Sequence, residues 1–198
     1  MSDEPFRVLV LCTANVCRSP AVAALLDDAD LTRARATGRR RSLIVESAGS
    51  IAAGVPVDPR VAKMLRALHV DPPPTTSVVV TAELIDASDL IVGMTRDHVR
   101  RAVGLVPDAW NRAATLHELG AASRRSPRRP AETRSAWVHR VLASRSADFY
   151  QDDPTQNIAD PSGRRKRAYV RMFDEIVPLV AQLEATLASP VGTPTATP

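Results

Sequence analysis

The chain has 198 residues, 44% hydrophobic and 24% charged, enough to bury the core of one ordinary domain and too apolar for disorder throughout. No apolar run approaches the ~20 residues that cross a bilayer, and the opening Ser2-Asp3-Glu4-Pro5 lacks the basic start of a secretory signal, so a cytoplasmic protein is expected. Lysine and arginine number 26, all arginine except Lys63 and Lys166, and the net charge of +4 excludes little.

Residues 6–11 (FRVLVL) are a continuous apolar run that predicts a buried strand. Ser19-Pro20 starts a helix, with proline at its first position and an apolar stripe of Val22, Leu25, Leu26 and Ala29 ending near Asp30. A basic connector, Arg33 to Arg41, leads to a second strand at Leu43 to Val45, closed by Ser47-Ala48-Gly49. Asp58-Pro59 caps a helix whose face is Val61, Leu65 and Leu68. Three prolines, Pro72 to Pro74, precede Val78 to Val80, a run that fits a strand or a helix approach equally. Thr81 to Ala87 reads as a short helix, Asp89 to Met94 as a buried strand, Arg96 to Val103 as a helix and Ala113 to Leu116 as a fourth strand.

Ala121 to Ala131 is basic and broken by proline, which predicts a surface loop, and Glu132 to Ala147 predicts a helix with Trp137, Val141 and Leu142 on one side. Together residues 121–147 are expected to form a helical insertion. Residues 148–163 read as a long polar loop. The last helix has the strongest period in the chain: Tyr169, Phe173, Ile176, Val180, Leu183 and Leu187 follow at spacings of 4, 3, 4, 3 and 4, with Pro178 expected to bend it. The whole predicts a three-layer α/β sandwich on a central, mainly four-stranded parallel sheet, a single domain over residues 1–188, followed by a disordered Pro/Thr-rich tail at 189–198.

The chemistry is concentrated in Cys12-Thr13-Ala14-Asn15-Val16-Cys17-Arg18-Ser19-Pro20, between the first strand and the first helix. A tight loop there turns backbone N–H groups toward one centre, and the helix dipole adds positive potential, so the segment is an anion cradle. Asn15 tolerates the left-handed conformation such a loop needs. Arg18 can grip two phosphate oxygens through its planar guanidinium. Cys12, last in the strand, places its sulfur at the cradle floor, where the same field favours the thiolate and Ser19 can donate to it. A thiolate beneath a bound phosphate ester is set for attack on phosphorus and a cysteinyl-phosphate intermediate.

These residues resemble the motif of the low-molecular-weight protein-tyrosine-phosphatase family. Weaker echoes lie at Glu46-Ser47-Ala48-Gly49-Ser50, at Pro56-Val57-Asp58 and in the strand Asp89 to Met94. The resemblance implies a cofactor-independent hydrolase with Cys12 as nucleophile and Arg18 as phosphate clamp. The phosphate would be bound by Thr13, Ala14, Asn15, Val16, Cys17, Arg18 and Ser19, with Asn15, Ser19 and Ser47 supporting the loop. It also implies that Cys17 could trap oxidised Cys12 as a disulfide, against the plainer reading of a small residue packed behind the loop.

One carboxyl group over the cradle can protonate the leaving oxygen and then activate water. The family places an aspartate before a proline ahead of the last helix, which selects Asp160-Pro161; Asp153-Pro154 competes, and Asp148 is weaker. A phosphotyrosine protein or other aryl phosphate is the expected substrate. Ser162-Gly163 and Ile51-Ala52-Ala53, however, lack the aromatic residues that flank the cleft in many relatives, and Thr95 stands where an acidic residue is common.

Three other readings compete. An arsenate reductase of the same fold needs resolving thiols beyond the two cysteines present, and a phosphate-binding regulatory module would keep the cradle without an effective acid. Nucleic-acid binding rests on the runs Arg39 to Arg41, Arg124 to Arg129 and Arg164 to Arg167, with few aromatics to stack bases. His69, His98, His117 and His139 show no metal-ligand spacing, so no metal is expected, and nothing in the sequence sets the oligomeric state.

Overall fold

The computed structural model describes residues 4–51, 54–74, 76–143, 145 and 153–188. Four parallel strands, β1 (Phe6–Cys12), β2 (Leu43–Gly49), β3 (Leu90–Gly93) and β4 (Ala113–Thr115), form one sheet in the order β2-β1-β3-β4. Seven α-helices were found among the described residues: α1 (Arg18–Thr37), α2 (Pro59–Ala67), α3 (Ala82–Asp86), α4 (Arg96–Leu105), α5 (Leu116–Arg125), α6 (Arg134–Leu142) and α7 (Lys166–Leu187). This is the three-layer α/β sandwich expected from the sequence.

The unbroken apolar run of β1 follows from its position. It lies between β2 and β3, and successive side chains enter opposite layers. Val8, Val10 and Cys12 join the larger cluster with α1, α2, α5, α6 and α7, while Leu9 and Leu11 join a smaller one with α3 and α4. The β1–β2 register sets Val10 opposite Ser47 and Cys12 opposite Gly49, which brings the loop after β1 against the end of β2.

Several boundaries differ from expectation. Helix α1 runs past Asp30 to Thr37, taking in part of the basic connector, and stops at Gly38, whose φ of 64° makes a left-handed C-terminal cap. Asp30 is buried instead of ending the helix; its carboxylate accepts from Ser42 N and Leu43 N and secures the start of β2. Strand β2 continues through Ser47-Ala48-Gly49, and Val79 forms a parallel bridge with Gly49, which settles the run Val78 to Val80 as extended chain. Leu68 does not join the buried face of α2: it follows the last turn and is exposed.

The loop expected at Ala121 to Ala131 is helical in its first half. Helix α5 begins at a capping box in which Thr115 accepts from Glu118 N and Glu118 accepts from Thr115 N, and it runs to Arg125. Helix α6 is shorter than expected, but Trp137, Val138 and Leu142 are buried in the larger cluster, and Trp137 Nε1 donates to Ser126 O at 2.8 Å. Helix α7 is uninterrupted at Pro178 and buries the whole expected stripe. The expected tail, and the strand-distal part of the 148–163 loop up to Asp152, fall outside the described residues.

Candidate active site

The loop from Cys12 to Ser19 closes over the end of β1, and α1 begins at Arg18. Its first turn carries no acidic residue and Cys17 gives no side-chain cap, so the amide groups at the helix start keep their positive polarisation. Asn15 has a φ of 53°, the left-handed conformation expected of it. Its amide N donates to Cys12 Sγ at 3.2 Å, and Ser19 Oγ donates to the same sulfur at 3.0 Å.

The Asn15 side chain holds the loop to its surroundings. Its Nδ2 donates to Ser19 Oγ at 2.9 Å and to Ser47 Oγ at 2.8 Å, while its Oδ1 accepts from Val78 N at 3.0 Å. Thr13 O accepts from Ser50 N and Ile51 N, and Val16 O accepts from Asp58 N. Glycine is required at position 49 because a Cβ there would lie 2.8 Å from Asn15 N and Thr13 O and 2.9 Å from Ala14 C. These backbone atoms cannot step aside as a side chain could.

Arg18 is buried, with only 5% of its side chain exposed. Its Nη1 donates to Ile158 O at 3.2 Å, and its Nη2 donates to Thr13 Oγ1 at 3.0 Å and to Asp160 Oδ2 at 2.6 Å. Its Nε–H is buried with no hydrogen-bond partner among the described residues. The backbone keeps the Asp160 loop in place: Ile158 N donates to Met94 O, and Asn157 Oδ1 accepts from Arg96 N at the start of α4. Asp160 Oδ1 accepts from Ser162 N at 2.9 Å, and 44% of the Asp160 side chain is exposed.

Of the candidate acids, Asp160 reaches Arg18 and Asp153 does not. Asp153 caps its own turn by accepting from Thr155 N and Oγ1 and pairs with Arg96 at 3.3 Å; the Thr155 hydroxyl bond leads in holding its carboxyl below the usual range. Asp148 lies outside the described residues.

A chain of contacts behind Arg18 was not legible in the sequence. His98 Nε2 is 3.1 Å from Thr13 Oγ1, and His98 Nδ1 is 2.7 Å from Thr95 Oγ1. Burial, and then the positive charge of Arg18, push the imidazole down to about 4, so at neutral pH the ring is uncharged and can donate on one side and accept on the other. The available signal was weak: a histidine three residues after a helix-starting threonine.

Cys17 is buried. Burial, followed by the negative charges of Asp58 and Asp160, pushes its thiol up to about 12. Asp58 in turn accepts from Tyr169 Oη at 2.9 Å, and the Arg60 guanidinium lies 5.2 Å from the centre of the Tyr169 ring.

Three comparisons bear on this arrangement. Residues 7–128 match the family model described as low molecular weight phosphotyrosine protein phosphatase. A protein-arginine-phosphatase from Geobacillus stearothermophilus is 30% identical over 116 residues, covering 58% of this chain and 72% of that protein. Among solved structures, the YwlE arginine phosphatase from Geobacillus stearothermophilus aligns with a TM-score of 0.67 at 24% identity, over 92% of this chain and 93% of that one. A low molecular weight protein tyrosine phosphatase from T. tengcongensis aligns at 0.64 and 20% identity, over 90% and 97%. At these identities the two structures show a shared fold.

Proposed function

This chain belongs to the low molecular weight phosphotyrosine protein phosphatase family, and we propose that it hydrolyses a protein phosphomonoester through a phosphocysteine at Cys12. Phosphatase chemistry comes with the family. The residue roles and the substrate are inferences supported chiefly by one observation: Arg18, the first residue after the thiol loop, reaches Asp160 at 2.6 Å.

In the first step Cys12 Sγ, which accepts from Ser19 Oγ and Asn15 N, attacks phosphorus as the thiolate and forms the S–P bond as the P–O bond to the leaving group breaks. Asp160 gives its proton to the departing oxygen. In the second, Asp160 takes a proton from water, the water oxygen bonds to phosphorus, and the S–P bond breaks to return the thiolate and release phosphate. Arg18 and the loop amides hold the equatorial oxygens in both steps. The unpartnered Nε–H of Arg18 supports this role, because a bidentate oxyanion would satisfy a buried donor that is otherwise costly. Thr13, Ala14, Val16 and Cys17 contribute backbone to the cradle, and Ser47 acts through Asn15.

Phosphotyrosine is the first-choice substrate by family. Protein phosphoarginine, for which the P–N bond would break in place of the P–O bond and Asp160 would protonate the departing guanidine nitrogen, is the second reading, favoured by the name of the 30% identical relative and by the mouth of the site, where the exposed large apolar residues flanking the loop are aliphatic: Ile51, Val55, Val78 and Val79. The test is hydrolysis of an aryl phosphate by the parent protein and by Cys12→Ser, with a loss of about a thousandfold or more expected in the variant. Matched phosphotyrosine and phosphoarginine peptides then rank the two substrates by kcat/KM. An inactive parent protein, or an active Cys12→Ser variant, would remove the phosphocysteine reading.

A further inference from the structure

We propose that Arg164, Arg165, Lys166 and Arg167, together with Arg60, form a basic lip that docks acidic residues flanking the phosphorylated side chain of a protein substrate. The inference rests on the phosphatase reading above and names the kind of protein segment that the same site would accept.

The four consecutive cations begin four positions after Asp160 and are all exposed. They stay beside the acid loop because Arg164 N donates to Pro161 O at 2.9 Å, while Gly163, at a φ of 69°, turns the chain between them. Arg60 joins from the start of α2: its Nη1 donates to Arg164 O at 3.2 Å and its guanidinium lies over Tyr169. Asp58, beside Arg60, is already engaged as acceptor for Tyr169 Oη and Arg60 N.

These four residues are the longest unbroken run of cations in the sequence. Some cations elsewhere are paired with acids, Arg41 with Asp27, Arg96 with Asp153, Arg112 with Asp86 and Arg140 with Glu132, while others, such as Arg35, Arg66 and Arg101, are exposed and form no ion pair among the described residues. Among the described residues, none of the side chains at 164–167 forms an ion pair or a hydrogen bond. The run also opposes local helix physics: Arg165 is the N-cap of α7, gives no side-chain cap, and is followed by Lys166 and Arg167 with no acidic residue in the first turn. Cations at that end repel the helix dipole and one another. Helices α1 and α6 also start on a basic residue with no acidic residue in the first turn, so the run at α7 is set apart by its length and by its place beside the Asp160 loop. The occupant is an acidic protein segment, since the family acts on proteins and the lip adjoins the mouth of the site.

The experiment compares kcat/KM for phosphotyrosine peptides that differ only in having Asp and Glu, or Ser and Gln, on both sides of the phosphoresidue. The acidic peptide should exceed the neutral one by about tenfold at low salt, mainly through KM, and the ratio should shrink at high ionic strength. In the quadruple variant R164S/R165S/K166S/R167S that ratio should fall close to one, and charge reversal in R164E/R165E should turn the preference toward lysine-flanked peptides. Anisotropy of labelled acidic and neutral peptides on the Cys12→Ser protein reads the same preference without turnover, so an inactive parent protein would overturn the phosphatase reading alone. Equal treatment of the two peptides by the parent, or an unchanged ratio in the quadruple variant, would overturn the lip. Tighter binding of a single-stranded oligonucleotide than of an acidic peptide of equal charge would also overturn it, reassigning the surface to nucleic acid.

Discussion

Arg18 and Asp160 stand 142 positions apart in the chain and meet at 2.6 Å, so the residue that would grip a phosphate and the residue that would protonate its leaving group share one hydrogen bond. A phosphate dianion in the loop would compete with Asp160 for the same Nη2 donor, and on the proposed mechanism its binding would free the carboxyl group.

Replacing Asp160 with Asn removes the acid and the competing charge together. Turnover of an aryl phosphate is expected to fall by about a hundredfold to ten-thousandfold. Affinity for inorganic phosphate or vanadate is expected to hold or rise. Inhibition constants measured on the variant check this, and a clear loss of oxyanion affinity would refute the competition. In the same assay Asp153→Asn is expected to behave like the parent.

His98 links Thr13 to Thr95 and is held neutral, with its titration pushed from 6.5 to about 4. Because the folded value is depressed, the unfolded chain takes up this proton first as the pH falls. The contribution to stability is complete above about pH 6.5, declines through the window to about pH 4, and amounts to roughly 3 kcal/mol. Urea unfolding of the parent and of His98→Gln at pH 7.5 and 4.5 should show a smaller acid loss in the variant. A several-fold rise in KM for aryl phosphate should accompany it, as Thr13 and Arg18 lose their backing.

Gly49→Ala and Gly104→Ala are expected to act in opposite directions. At 49 the added carbon meets three backbone atoms of the phosphate loop; at 104, inside α4, nothing lies within 4 Å. The first substitution should lower Tm by roughly 4–8 °C and reduce kcat/KM. The second should raise Tm slightly through helix propensity and leave catalysis alone. Thermal unfolding followed by circular dichroism distinguishes them.

Cys17 would have to ionise to attack an oxidised Cys12, and a thiol pushed up to about 12 supplies very little thiolate at neutral pH. Mass spectrometry after mild peroxide should therefore find the Cys12–Cys17 disulfide forming slowly near pH 7 and faster as the pH rises. Asp58→Asn, which lifts one of the charges that oppose ionisation, should speed it at fixed pH. Rapid, pH-independent closure would count against this account of the second thiol.

What was readable in the sequence was what is contiguous. Cys12, Asn15, Arg18 and Ser19 lie within one turn of chain, so residue type and spacing alone defined the cradle. Asp160 was singled out through the family resemblance, which places an aspartate before a proline ahead of the last helix, and in the fold it is the candidate acid that reaches Arg18. His98 was not singled out, since it enters the site only when α4 packs on the sheet, 85 positions from Thr13. Helix α5 was hidden by the basic, proline-rich stretch behind it, although Thr115 and Glu118 spell a capping box at its start. The end of α1 was masked in the same way by arginines, with Gly38 as the unused signal.

The contact between Arg18 and Ile158 also fixes an order of events during synthesis. Cys12 and Arg18 leave the ribosome ahead of the carbonyl that receives Nη1 and the carboxylate that receives Nη2, which lie 140 and 142 positions further along the chain from Arg18. Until that segment emerges and α7 settles against α1 and α5, the nascent chain carries the proposed nucleophile without Arg18 secured or the proposed acid in place. On the proposed roles, catalytic competence depends on the segment that carries Ile158 and Asp160 and on the docking of α7.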